Sequence, residues 1–337
     1  MNRPTIRRLT RRQFQVQSGV LAASWIGVPA ITEGLLARNR AVAALADQIP
    51  RRVLGRTGVE VTTMTLGTAP CGLSPEIPIE EIGKIVLRAI ELGINSIDTA
   101  PAYIKSEEAI GRVLQPHRDK VFLATKVFAK TVEEAEKSLT RSFELLKTDY
   151  IDLVYYHSVG DYEPEKSLAE DGVFPWLVKQ KEAGKFRFLG ISGHHRPGRF
   201  LPYLQTGQVD VLLTVINFVD RHTYNFEEKV LPLARQYNVG IIAMKVFGGA
   251  RRSAGSYRNP KCPPELDTAH LESAVRYALG IPGVATLNLG VHNQSQLEHN
   301  LALVKAYQPL TPEEESKLTE LGRQLAAEWG EHFGPLA

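Results

Sequence analysis

The chain has 337 residues, 23% of them charged and 43% apolar, a balance ordinary for a soluble globular protein. Its formal charge of +3 is unevenly placed: residues 1–46 hold seven Arg and one Glu, so residues 47–337 carry −3, which gives no electrostatic reason to expect nucleic acid. Cys71 and Cys262 stand nearly two hundred residues apart with no metal-ligand spacing, so the sequence indicates no metal site and requires no disulfide.

The N-terminus reads Thr10-Arg11-Arg12-Gln13-Phe14, then the apolar stretch VLAASWIGVPAI (20–31), then Ala44-Leu45-Ala46. A charged region, a short apolar region and small residues, in that order, form a leader with cleavage placed after Ala46. The apolar stretch falls short of the ~20 residues that span a bilayer, so no stable membrane span is expected. The paired arginines resemble a bacterial twin-arginine signal. That resemblance implies the twin-arginine export machinery as a partner and a periplasmic or exported location. The alternative is a basic tail that stays attached to a cytoplasmic protein. Export of this kind carries folded proteins, which suits a chain whose folding does not depend on oxidation.

Residues 47–337 read as one domain. Arg52–Val59 reads as a hairpin turning at Thr57-Gly58, placed to plug the bottom of a barrel. Eight apolar runs follow, at 61–67, 94–100, 121–127, 150–157, 186–192, 209–218, 240–247 and 283–291. Near-continuous apolar runs suit parallel strands buried on both faces. Helical faces lie between them: Ile82, Ile85, Val86, Ala89 and Ile90, then Val132, Ala135, Leu139, Phe143 and Leu146. Ser295 followed by Glu298 reads as a capped helix start. An extra helix spans 311–329, beginning near Thr311-Pro312. Eight strand–helix repeats predict a (β/α)8 TIM barrel with an N-terminal β-hairpin and an extra C-terminal helix. The competing doubly wound sheet wants GxGxxG after its first strand, and LGTAPCGLSP (66–75) does not supply it. Two long loops, 158–172 and 248–267, are candidates to close over a ligand, because long loops in compact domains are usually functional.

Asp98, Tyr103, Lys126 and His157 each close or follow one of these apolar runs, so a barrel gathers them on its C-terminal rim. A free tyrosine, with a pKa of ~10, is a poor acid at neutral pH. A nearby ammonium lowers that value. Lys126 is placed to supply the charge, Asp98 to hold Lys126, and His157 to orient a substrate oxygen. Such a group donates a proton to a carbonyl, but no side chain supplies a hydride, so a cofactor is implied. Taken singly, each residue also has a plain structural explanation: a turn cap, a packing tyrosine, a solvated lysine, a core histidine.

Leu54-Gly-Arg-Thr-Gly58 and Asp98-Thr-Ala-Pro-Ala-Tyr103, followed by Ser106-Glu107 and Ile110-Gly111, resemble the signature of the aldo-keto reductases. Lys126 and His157 match the other two positions of that family's tetrad, and the resemblance covers roughly residues 51–308. It implies an eight-stranded barrel that reduces aldehydes and ketones with NADPH or NADH, usually the phosphorylated form. It also implies Tyr103 as proton donor, Lys126 as its tuner, Asp98 as the partner of Lys126, and His157 as the group that positions the carbonyl.

The cofactor positions depart from the family. Ser192 matches a carboxamide-binding serine, but Gly193 stands where Asn is common, with His194 or Asn217 as conceivable substitutes. Leu213 lies near an expected Gln, and Met244 where an aromatic often stacks. Lys245 is placed either to contact phosphate or simply to end the strand. Gly290 and Gln296 replace a Lys and an Arg that hold the extra phosphate in relatives, whereas Asn300 matches the residue facing adenine. Arg251 and Arg252 are candidates to clamp pyrophosphate instead.

Two other classes fit the same barrel. One is a Schiff-base lyase or aldolase with Lys126 as nucleophile. The other is a non-catalytic barrel that retains nucleotide. The small-molecule carbonyl substrate is not identified further: Phe128 and Tyr103 should line its mouth.

Overall fold

The computed structural model describes residues 48–337; the twin-arginine pattern and the cleavage position after Ala46 lie outside the described residues. Strand β1 (Arg51–Val53) pairs antiparallel with β2 (Glu60–Thr62), Val53 opposite Glu60. A 3-10 turn over Gly55–Thr57 joins them, and Gly58 closes it at φ +68°, a left-handed conformation that favours glycine. The hairpin buries Leu54 and Val61 completely. Both pack into the barrel interior with Phe122, Leu153, Val211, Ile242 and Ala285. The hairpin therefore plugs the barrel, as its sequence suggested.

The barrel strands are β3 (Met64–Gly67), β4 (Ser96–Asp98), β5 (Phe122–Val127), β6 (Ile151–Tyr156), β7 (Phe186–Gly193), β8 (Val211–Val215), β9 (Gly240–Met244) and β10 (Val284–Gly290). They close in the order β10-β3-β4-β5-β6-β7-β8-β9, every pair parallel. Each expected apolar run overlaps one of them, β7 running one residue past its run to Gly193; the first run is shared between β2 and β3. The outer core lies between strands and helices. Ile82, Ile85, Val86 and Ala89 are buried on the helix Ile79–Glu91. Ala135, Leu139 and Leu146 are buried on Val132–Leu146, which Thr131 and Glu134 start with a reciprocal cap.

The helix after β10 runs Gln294–Lys305. Its cap is Asn293, whose side chain accepts from the Gln296 N–H, rather than Ser295 with Glu298. Asx side chains compete well for this position, and Asn293 precedes the expected Ser295 by two residues. The final helix, Pro312–Trp329, begins with a Thr311–Glu314 capping box. Both cysteines are free and buried. Among the described residues no helix is long and apolar enough to cross a membrane.

Candidate active site

Parallel closure brings the four strand-end residues to one rim. Asp98 ends β4, Lys126 is the second-last residue of β5, and His157 follows β6. Tyr103 sits on the 3-10 turn Pro101–Tyr103 that leaves β4. Lys126 Nζ lies 2.5 Å from Asp98 Oδ1 and donates to the Thr99 carbonyl at 2.8 Å. It also lies 4.8 Å from the centre of the Tyr103 ring. Asp98 and Lys126 are 3% and 1% exposed, so this is a buried ion pair whose partners cannot turn to water instead.

Burial opposes the charge on Lys126, but the carboxylate of Asp98 and the phenol of Tyr103 outweigh it and hold the amine above its ordinary pKa. The ammonium is thus the resting form. At Tyr103 the balance runs the other way from the sequence expectation. Burial raises the phenol above 10 and Asp98 adds to that, while Lys126 pulls it down without restoring the ordinary value. Desolvation dominates because the phenolate is the charged form of the pair. Tyr103 therefore rests protonated, the state a proton donor requires. Burial, then the charges of Lys126 and Lys245, press His157 down to about 3, so its imidazole is neutral. Phe128 stands edge-on to that ring at 6.0 Å.

A cleft of about 480 Å³ opens beside Asp98 and Tyr103. Met244, Lys245, Gly290, Gln296 and Asn300 also line it, so residues from the ends of β4, β9 and β10 meet there. The long loop after β9 contributes Gly249, Ala250, Tyr257 and Cys262; the loop after β6 does not line it. Lys245 Nζ contacts the Tyr257 hydroxyl at 3.2 Å and lies 4.6 Å from that ring's centre.

The other cofactor candidates divide. Ser192 is 1% exposed and its hydroxyl has no protein partner, a costly arrangement for a buried polar group unless a ligand satisfies it. His194 lines the cleft and is held neutral by burial and then by Lys245. Asn217 is spent: its amide donates to Asp220 at 2.6 Å and to the Lys245 carbonyl at 2.9 Å. Arg251 and Arg252 do not line the cleft. Arg252 donates to the Trp329 carbonyl at 2.8 Å, because the end of the final helix offers unpaired carbonyls. Arg251 reaches the Glu265 carbonyl at 3.4 Å.

Two glycines explain missing family side chains. A Cβ at Gly193 would lie 2.7 Å from Phe200 Cζ, and one at Gly290 would lie 2.7 Å from the Pro70 ring. Neither site admits the Asn or Lys of relatives without moving a packed ring. Asn288, Tyr257 and His292 also stand in the cleft wall. Asn288 left a signal, a polar residue inside the apolar run of β10; Tyr257 lies in the loop 248–267 that the sequence marks as a candidate to close over a ligand, and His292 in the segment of Gly290 and Gln296.

The aldo/keto reductase family model matches residues 63–272. The chain belongs to the aldo/keto reductase family. It is 29% identical to L-galactose dehydrogenase of Arabidopsis thaliana over 301 residues, covering 80% of this chain and 92% of that one. It is 30% identical to D-arabinose 1-dehydrogenase of Saccharomyces cerevisiae over 272 residues, covering 68% and 78%. Among solved structures, a putative aldo-keto reductase from Pseudomonas aeruginosa superposes with a TM-score of 0.63 at 28% identity, covering 76% of this chain and 94% of that one. This aldo-keto reductase is thus a carbonyl-reducing oxidoreductase that uses a nicotinamide cofactor.

Proposed function

We propose that Tyr103 donates the proton when this reductase converts an aldehyde or ketone to an alcohol. The observation that carries the reading is the buried Lys126–Asp98 pair with Lys126 Nζ 4.8 Å from the centre of the Tyr103 ring. The substrate oxygen lies toward the Tyr103 hydroxyl, and the neutral His157 fixes its angle by hydrogen bonding. As the oxygen gains negative charge, the phenolic proton passes to it. The phenolate left behind is stabilised by Lys126, which Asp98 keeps charged and in place. Water then returns the proton to Tyr103. The two electrons and the hydrogen that the carbonyl carbon takes up would come from a reduced nicotinamide held in the cleft.

The residues in and beside the cleft fit such a cofactor. His194, neutral and lining the cleft, and the unpartnered hydroxyl of Ser192, which does not line it, suit an uncharged carboxamide, and Lys245 suits a phosphate. Gly290, Gln296 and Asn300 suit the adenosine end. Lys245 is the one Lys or Arg among the described residues that line the cleft. The resemblance favours NADP, but among the described residues no second Lys or Arg lines the cleft for its extra phosphate, so NADH should serve at least as well as NADPH. The lyase reading fares worse, because a lysine must be neutral to attack a carbonyl and Asp98 and Tyr103 favour the charged Lys126. Ile104, next to Tyr103, and Phe128, against His157, are 58% and 53% exposed, which suits a substrate with an apolar body.

The leader supports export to the periplasm by the twin-arginine route, since paired arginines, a short apolar stretch and small residues stand in order. An exported reductase would leave folded, with cofactor bound. Fractionating cells that express the chain with Arg11→Lys and Arg12→Lys tests this; unchanged distribution would refute it. The catalytic reading is tested with residues 47–337, following oxidation of NADH and NADPH against an aldehyde and ketone panel.

A further inference from the structure

Beyond the final helix, residues 330–337 fold back onto the rim that carries Lys245 and His194. The Phe333 ring packs 5.6 Å from the His194 ring, centre to centre, and its centre lies 5.7 Å from Lys245 Nζ. His194 and Lys245 both line the cleft. The segment is tied down along its length. The Phe333 N–H donates to the Tyr224 hydroxyl at 2.7 Å, and that hydroxyl donates to the Gly334 carbonyl at 3.1 Å. The Arg196 N–H donates to the Pro335 carbonyl at 3.2 Å, and the Arg196 side chain reaches Ala337 at 2.9 Å.

The deepest tie is between His332 Nε2 and Asp220 Oδ1 at 2.8 Å, with both side chains 2% exposed. The other oxygen of Asp220 accepts from Asn217 Nδ2 at 2.6 Å, and the same nitrogen donates to the Lys245 carbonyl at 2.9 Å. Asn217 Oδ1 accepts the N–H groups of Val219 and Asp220 at 3.0 and 2.7 Å. Both ends of this amide are engaged, which fixes its orientation. The carbonyl it grips belongs to a residue at φ +57°, left-handed backbone that a non-glycine residue holds only when its surroundings impose it. A continuous run of hydrogen bonds thus leads from the tail, through Asp220 and Asn217, to the backbone that aims Lys245.

We propose that residues 330–337 form a strap that positions Lys245 for the anionic part of a dinucleotide, with His332 and Phe333 as positioning residues. The proposal rests on the reading that Lys245 meets the cofactor. It assigns the tail to nucleotide affinity rather than to proton transfer. His332→Leu removes the tie to Asp220, and His332→Gln keeps a donor of similar reach. Phe333→Ala keeps His332 and Asp220 in the chain and removes the ring packed against Lys245, His194, Tyr224 and His332.

The test uses the full chain and three readouts: NADH affinity by fluorescence quenching, steady-state kinetics, and thermal melting. His332→Leu should raise both Kd and KM for NADH about tenfold, equivalent to ~1.4 kcal/mol. Its kcat at saturating NADH should stay within about twofold of the parent, the pattern of lost uniform binding. His332→Gln should recover most of the affinity. Phe333→Ala should weaken NADH binding about threefold with kcat at saturating NADH little changed, and it decides the matter if His332→Leu does not fold. Parental Kd in the folded variants, or a fall in kcat at unchanged Kd, would overturn the proposal. If the parent binds neither NADH nor NADPH, the cofactor reading itself fails and the strap proposal with it.

Discussion

Lys126 and Asp98 form a buried pair 2.5 Å apart at the ends of neighbouring strands β5 and β4. Removing one partner strands the other charge away from water, which typically costs about 3–5 kcal/mol. Lys126→Met should therefore lower unfolding free energy by roughly that amount, and adding Asp98→Asn should recover a large part of it. Denaturant melts of the two single variants and the double variant give the coupling directly. Additive losses would mean that the two charges do not depend on each other.

The protonation states set the pH profile. Tyr103 lies above its ordinary value of 10 because of burial, so reduction should lose rate only as pH rises through that raised value. His157, pressed down to about 3 by burial and neighbouring cations, stays neutral at and above neutral pH. The profile of kcat for reduction should then be flat from mildly acidic to mildly alkaline pH. A break near 6.5, the ordinary histidine value, would contradict a neutral His157.

Glu107 gives a pH-dependent stability. It is 2% exposed, one oxygen accepts from Thr125 at 2.7 Å, and the other has no partner. Burial raises its pKa above the usual carboxylate range. A group whose folded pKa is raised stabilises fully below its unfolded value and loses that contribution as pH climbs through the folded value. Glu107→Gln should therefore gain stability relative to the parent as pH rises from acidic toward neutral. Thermal melts across that range would show a constant difference if the carboxyl were not perturbed.

Gly193 makes a steric claim. Gly193→Asn restores the residue common in relatives but drives its Cβ against Phe200. Overpacking of this kind costs about 1–3 kcal/mol. Phe200→Leu in the same chain should return part of the loss. A parental melting temperature for Gly193→Asn alone would show that the Phe200 ring moves freely.

Much of the fold was legible because parallel strands buried on both faces write themselves as apolar runs, and each run expected from 61–67 to 283–291 overlaps an observed strand. The last helix was legible through Thr311, Pro312 and Glu314. The alternation of strands and helices placed Asp98, Lys126 and His157 on one rim. The state of Tyr103 was not legible, because desolvation depends on what surrounds the phenol, and sequence spacing reveals only that a lysine is near. The partner of Arg252, the Trp329 carbonyl at the end of the final helix, was not legible either, because a loop arginine carries no sign of a distant helix end. Phe333 had no signal at all, since its place over Lys245 is set by the return of the tail across the rim.

The central claim is that Tyr103 delivers the proton. Oxidation of NADH by residues 47–337 with an active aldehyde, measured beside Tyr103→Phe, tests it most directly. Loss of the phenolic proton should lower kcat by about 10²–10⁴-fold, the usual contribution of a general acid, with NADH affinity retained. Turnover at the parental rate in Tyr103→Phe would contradict the account.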